Sequence, residues 1–324
     1  MFIIVSLFVF LISNNIFLIY SFSLDYDPKE AEILGRASKA IAGMYYKECI
    51  RKDYILKDTV ELLDTSFDKS EELKGNFLTA ILKFKHDNET LIVLHKATTS
   101  TSQLLAQLVS SLLPMDDFLN SGKVYSYQAE GDTLTYNRAG EQVKEINKNG
   151  QYKNVIFAGH SLGGGLSVIG SYRCVYEKIC PTENIKVYTF GAPRSGDYEF
   201  AMNYNNLIPN TYRVVVEGDL IPTIPSCSEG SEENSCHTGE DDLLNWYYHV
   251  GTEVYYPNGT NNSYKICLEH VEDPSCSKKA YKWSDIFDFL WDSEPYWKAH
   301  SSYFGETYGQ TYNQTRCNWL TEEW

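Results

Sequence analysis

Residues 154–165 constrain the fold most tightly. Val155-Ile156-Phe157-Ala158 is a short apolar run of strand character, and Gly159-His160-Ser161-Leu162-Gly163 follows it without a spacer. A helical pattern comes next, opening near Gly164 and clear over Leu166 to Tyr176. A serine placed between strand and helix must sit on a tight turn with a strained backbone, so its near neighbours must lack bulk. Gly159 and Gly163 meet that need, and Gly164 and Gly165 let the helix pack close to the strand. The hydroxyl then lies at a helix N-terminus, where partial positive charge favours a developing oxyanion, with the Leu162 amide as one donor. The plainer alternative is a glycine-rich turn with a structural serine. The strand before and the helix after it argue for a nucleophile.

The neighbouring segments extend the pattern. Ile185 to Phe190 and Tyr212 to Val216 are further apolar, β-branched or aromatic runs, so strand and helix alternate as in a parallel α/β sheet. Upstream, Phe77 to Phe84 and Thr90 to His95 flank an Asp-Asn turn and read as a hairpin. From Leu24 to about Asp53, Ala31, Ile33, Leu34, Ala37, Ala40, Ile41 and Met44 recur at helical spacing. A second amphipathic helix is expected over Gln103 to Leu113, capped by Thr101 or Ser102 and stopped by Pro114. The C-terminal third, rich in Tyr, Trp and Cys, reads as ordered loops pinned by disulfides. A length of 324 residues suits one such domain over 24–324.

Residues 1–23 carry no charge, and the apolar runs Phe2–Ile12 and Ile16–Tyr20 end at Ser21 and Ser23. They read as a signal peptide cleaved after about Ser23, with an uncleaved membrane anchor as the alternative. All eight cysteines follow that segment, which fits disulfides in an oxidising compartment. Eight cysteines admit about 105 pairings. Short loops favour Cys174–Cys180, Cys227–Cys236 and Cys267–Cys276, leaving Cys49–Cys317. A zinc site is the rival use of cysteine, but neither a CxxC pair nor a His–Cys cluster supports one. Asn88, Asn258, Asn261 and Asn313 open glycosylation sequons. The net charge of −15 argues against nucleic acid and against charge-driven binding to anionic membranes. Any contact with lipid must therefore be apolar.

A serine nucleophile needs a base, and the base needs an orienting acid. The histidines after Ser161 are His237, His249, His270 and His300. Spacing alone does not choose among them or among the many acids. Several blocks together do, because the chain resembles the fungal-type, class 3 lipase family from about Leu91 to Gly305. The blocks are the elbow itself, Val187-Tyr188-Thr189-Phe190-Gly191-Ala192-Pro193-Arg194, Gly218-Asp219-Leu220-Ile221-Pro222, His249 to Tyr256, and Ala299-His300-Ser301-Ser302-Tyr303-Phe304-Gly305. The resemblance implies an α/β-hydrolase, with a mostly parallel central sheet flanked by helices. It implies Ser161 as nucleophile, Asp219 as acid and His300 as base. His160 is expected to give packing or polar support, and His249 to be a core histidine. The cysteine pairs between Ile224 and Lys278 are similar to those of secreted nematode-type members.

The chain departs from the family at the second oxyanion donor. The family has an aromatic residue, Arg, Gly and then Thr or Ser; here the residues are His95-Lys96-Ala97-Thr98. Thr98 matches the donor, but Ala97 would be strained if the glycine there needs a positive φ. The resemblance also places a mobile lid just after this segment, in the Gln103–Leu113 helix. Leu104, Leu105, Leu108, Val109 and Leu112 share its apolar face. A helix permanently docked on the sheet is the alternative. The expected reaction is carboxylic ester hydrolysis through an acyl-enzyme, without metal or organic cofactor, on acylglycerols reached through transient lipid-surface contact. The alternatives are a phospholipase, a non-lipid esterase, or a catalytically weakened lipid-binding homologue.

Overall fold

A computed structural model describes residues 26–304, apart from 43–44, 72, 74, 99–113, 228–235, 237–245, 278–287, 289–290 and 293. The expected signal peptide, the lid residues Leu104, Leu105, Leu108, Val109 and Leu112, and the Asn313 sequon lie outside the described residues. Among the described strands, eight form one sheet, and four short ones, β4 (Met115–Asp117), β5 (Lys123–Tyr125), β8 (Gly196–Asp197) and β10 (Tyr247–Tyr248), form a second.

The large sheet begins with three antiparallel strands, β1 (Val60–Ser70), β2 (Gly75–Phe84) and β3 (Thr90–Thr98). The next four run parallel to β3: β6 (Asn154–His160), β7 (Ile185–Phe190), β9 (Thr211–Val216) and β11 (Thr252–Tyr256). The two-residue β12 (Lys265–Ile266) closes the far edge antiparallel. Side chains alternate across each parallel strand, and here both faces are covered, so the strands read as continuous apolar runs. On one face Ile92, Leu94, Ile156, Ala158, Tyr188 and Phe190 pack against Ala31, Leu34 and Ala37 of α1 (Pro28–Ala40). On the other, Leu91, Val93, Val155, Phe157 and Val187 meet Val168, Ile169 and Val175 of the helix that follows the elbow.

The N-terminal pattern is two helices where the periodicity suggests one. Asp27 caps α1 by accepting from the Lys29 amide at 2.8 Å, and Pro28 fills the first position. The helix stops at Ala40, and α2 (Tyr46–Lys52) starts afresh. Gly43 lies between them and weakens any continuous helix. Disulfides join Cys174 to Cys180, Cys227 to Cys236, and Cys267 to Cys276. Cys49 is also disulfide-bonded; Cys317 lies outside the described residues.

Candidate active site

The elbow is tighter than the sequence suggests. β6 runs on to His160 and the next helix, Leu162–Tyr176, starts at once, two residues before the expected Gly164. Ser161 alone makes the turn, with φ 56° and ψ −132°. That is glycine's territory, and a side chain there costs on the order of 1–3 kcal/mol. The Ser161 amide donates to the Phe190 carbonyl on the adjacent strand at 2.9 Å, which ties the turn to the sheet. Leu162, as the first helical residue, has an amide that no carbonyl of its own helix can reach. A Cβ on Gly163 would lie 2.2 Å from the His95 carbonyl oxygen. Only glycine therefore lets the helix N-terminus press against the end of β3.

That strand continues through Ala97 and Thr98, paired with Phe77 and Asn76. Ala97 is thus in extended backbone, where alanine is unstrained, and the positive φ considered for this position does not arise. The Thr98 side chain lies outside the described residues. His95 and Lys96 behind it are both buried. Burial lowers the His95 pKa to about 4 and that of Lys96 to about 7.

Asp219 and His300 come from elements 81 residues apart in sequence and meet in a buried pair. The acid follows β9 through Gly218, whose φ of 82° turns the chain. Its Oδ1 accepts from the Ile221 amide at 2.9 Å, and its Oδ2 from the Tyr303 hydroxyl at 2.6 Å. That hydroxyl in turn accepts from the Val216 amide at 3.2 Å. Burial, then the Asp219 charge, keeps the Tyr303 proton in place by raising its pKa well above normal. Gly191 makes room for this arrangement, since a Cβ there would stand 2.5 Å from Asp219 Oδ2.

His300 lies in the last turn of the helix Glu294–Ser301 and is 2% exposed. Its Nδ1 is 3.0 Å from Asp219 Oδ2 and 3.1 Å from Oδ1. A carboxylate can only accept, so Nδ1 carries the proton and the neutral ring has its lone pair on Nε2. That is the tautomer a general base needs. His160, the residue before Ser161, has its ring 4.5 Å from that of His300. Its Nε2 donates to the His300 carbonyl at 2.8 Å. Burial, then His300 and Lys39, holds its pKa well below 6.5, so it serves as a neutral donor. His249 is 4% exposed and donates from Nε2 to the Pro222 carbonyl at 2.8 Å. His270 reaches the Pro209 carbonyl at 3.1 Å, and His237 lies outside the described residues.

Sequence reasoning gave Arg194 and Glu272 no role, yet they brace the acid loop. The Arg194 guanidinium, fully buried, meets Glu272 Oε1 at 2.8 Å and Oε2 at 3.0 Å. It also donates to the carbonyls of Thr223 and Pro225 at 2.8 and 2.9 Å. Burial alone would raise the Glu272 pKa, but Arg194 and His249 outweigh it and hold the carboxyl well below the usual range. Glu272 lies inside the loop closed by Cys267–Cys276. Glu272→Ala would leave the Arg194 charge buried without its carboxylate. We expect a loss of about 3–5 kcal/mol in urea unfolding, and an unchanged midpoint would show that the pair is not needed. Glu253, Cys267 and Cys276 bring three potential metal donors within 4.8 Å. The two sulfurs are joined in a disulfide, which removes the thiolates a zinc site requires.

An α/β sheet with a serine at a strand–helix elbow and a buried His–Asp pair at the strand C-terminal ends defines an α/β-hydrolase. Residues 92–229 match the family described as Lipase (class 3). The matched stretch includes Ser161 and Asp219. "Lipase ZK262.3" of Caenorhabditis elegans is 29% identical over 294 residues, covering 86% of this chain and 80% of the relative. A Rhizopus niveus lipase is 27% identical over 148 residues, 45% of this chain and 33% of its own length. Among solved structures, the lipase from Rhizopus microsporus var. chinensis superposes with a TM-score of 0.63 at 21% identity, covering 86% of this chain and 87% of its own. A fungal lipase–inhibitor complex gives 0.64 at 19%, covering 90% and 97%. At these identities the structures speak to the fold.

Proposed function

We propose that the protein is a serine hydrolase of carboxylic esters, acting on acylglycerols. The observation that carries this reading is the Asp219–His300 pair, which fixes the base tautomer while His160 links His300 to the elbow residue Ser161. In this mechanism His300 Nε2 takes the Ser161 proton as Oγ attacks the ester carbonyl. Asp219 stabilises the imidazolium that forms. The Leu162 amide and Thr98 hold the oxyanion. The tetrahedral intermediate collapses, and His300 returns the proton to the leaving alcohol. Water then attacks the acyl-enzyme by the same relay, releasing the acid and freeing Ser161. No step draws on a metal or organic cofactor.

The acylglycerol substrate rests on the lipase relatives and on the leucine-rich 103–113 segment, proposed as a lid that opens at a lipid surface. With a net charge of −15, apolar contact must supply the attraction to that surface. The disulfides and the uncharged, apolar 1–23 stretch support secretion, and Asn88, Asn258 and Asn261 are exposed to glycosylating enzymes. Treating the purified mature protein with an alkylphosphonate tests the chemistry. Phosphorus should appear on Ser161 with matching loss of turnover; labelling elsewhere, or none, refutes the reading. Substrate class is tested by chain length. Hydrolysis of a long-chain glyceride should rise abruptly as the ester passes its solubility limit, whereas a smooth saturation curve would mark an ordinary esterase.

A further inference from the structure

We infer that Lys39, on the N-terminal helix α1, is a positioning residue that fixes the helix end bearing the base His300. The inference rests on the relay proposed above.

The last carbonyls of any helix lack partners within it and carry the negative end of its dipole. Here those of the Glu294–Ser301 helix and the residue after it are met from three different parts of the chain. His160 Nε2 donates to the His300 carbonyl at 2.8 Å. Lys39 Nζ donates to the Ser301 carbonyl at 2.5 Å. Thr260 Oγ1 donates to the Ser302 carbonyl at 3.3 Å and accepts from the Phe304 amide at 2.7 Å. Of the three donors only Lys39 brings a charge.

That charge is out of place by ordinary packing logic. Lys39 is 2% exposed, on a helix whose contacts with the sheet are apolar apart from Glu30, which meets Tyr188 and Lys186. Burying an ammonium carries a desolvation penalty of several kcal/mol, which a leucine would avoid. The helix is also pressed hard against the base segment. A Cβ on Gly35, one turn before Lys39, would fall 2.8 Å from the Phe304 ring. A flat packing role for α1 explains Gly35 and Leu34 but not the lysine. An ammonium aimed at the carbonyl that follows His300 does. It holds the end of the base helix, and so the distance from the imidazole to Ser161, against the inward pull of the Asp219 pair. Lys39 also acts on His160, adding to burial and His300 in keeping it the neutral donor that grips the adjacent carbonyl. Lys39 touches neither substrate nor reacting atoms. Its effect on catalysis passes through the placement of His300.

The test uses the whole mature chain and a soluble short-chain p-nitrophenyl ester, which leaves the lipid surface out of the measurement. Lys39→Met keeps most of the length of the side chain and removes the charge. Its kcat should fall about 10- to 100-fold with KM within about twofold, because a small misplacement of the base slows chemistry without weakening binding. Labelling of Ser161 by an alkylphosphonate should slow in proportion. Lys39→Arg restores a cationic donor and should recover kcat to within about threefold of wild type. Lys39→Met turning over at the wild-type rate overturns the inference. So does equal loss in the Met and Arg variants matched by equal loss of melting temperature, since that is a packing defect. If the Met variant does not fold, Lys39→Gln retains a neutral donor. A folded Gln variant with reduced kcat supports the inference, and one with wild-type kcat overturns it. Wild-type protein that never takes the phosphonate at Ser161 removes the relay itself, whatever the Lys39 variants do.

Discussion

Ser161→Ala protein should fold normally and hydrolyse esters with kcat roughly a millionfold below wild type. The side chain is partly buried at the elbow, and removing one oxygen opens no cavity of consequence. The variant keeps the helix N-terminus, the Leu162 amide and the Asp219–His300 pair, so it should still bind substrate. It lacks only the atom that attacks. Residual hydrolysis would then be what the oxyanion site and substrate binding provide to water. A companion variant separates the chemistry from the fold. Ser161 sits at φ 56° and ψ −132°, a conformation glycine adopts without strain. Ser161→Gly should be as inactive as the alanine variant yet more stable by on the order of 1 kcal/mol, offset in part by the freedom glycine gains when unfolded. Thermal unfolding and turnover on a soluble ester check both. Near-wild-type turnover in either variant would mean the reaction does not run through Ser161.

The strongest sequence signals were those in which a backbone requirement forces residue type. The elbow is legible because only glycine permits the approaches at Gly159 and Gly163, where a Cβ would fall 2.2 Å from backbone oxygen. The parallel strands were legible because both faces are buried, leaving unbroken apolar runs such as Val155 to Ala158. By contrast β1, Val-Glu-Leu-Leu-Asp-Thr-Ser-Phe-Asp-Lys-Ser, is an edge strand with a register shift between Leu62 and Asp64. Glu61, Asp64 and Lys69 face solvent together with Phe67, while Ser66 and Ser70 are buried, so its pattern resembles a loop. The long helix Ser126–Ile146 was also missed, because Ser, Asn, Thr and Gly interrupt its apolar positions. The polar supports were the least legible. Lys39, Tyr303, Arg194 and Glu272 act across gaps of tens to hundreds of residues, and no local spacing announces them. Arg194 and Tyr303 fall within blocks recognisable by resemblance, yet what each side chain meets is known only from the fold.

Asp219→Asn should lower kcat by about 10⁴-fold while leaving the chain folded. Asp219 accepts from the Ile221 amide at Oδ1, from Tyr303 at Oδ2 and from His300 Nδ1 at both oxygens. An amide can fill only half of that demand. If its oxygen takes the Oδ1 place, its NH₂ group faces His300 Nδ1 and the Tyr303 hydroxyl. The imidazole then accepts on Nδ1 and carries its proton on Nε2, where it cannot take the proton of Ser161. If the amide is turned over, its NH₂ group confronts the Ile221 amide, donor against donor, in a site 6% exposed. Leaving one such buried group unmatched costs about 1–3 kcal/mol, so a modest fall in melting temperature should accompany the loss of rate. The imidazolium formed during attack also loses its counter-charge. KM should change little, since Asp219 lies behind the imidazole and away from the substrate. The second-order rate of phosphonate labelling at Ser161 should fall with kcat, because both need the deprotonated oxygen. Turnover within tenfold of wild type would show that this carboxylate does not set the His300 tautomer, and the base would have to be sought elsewhere.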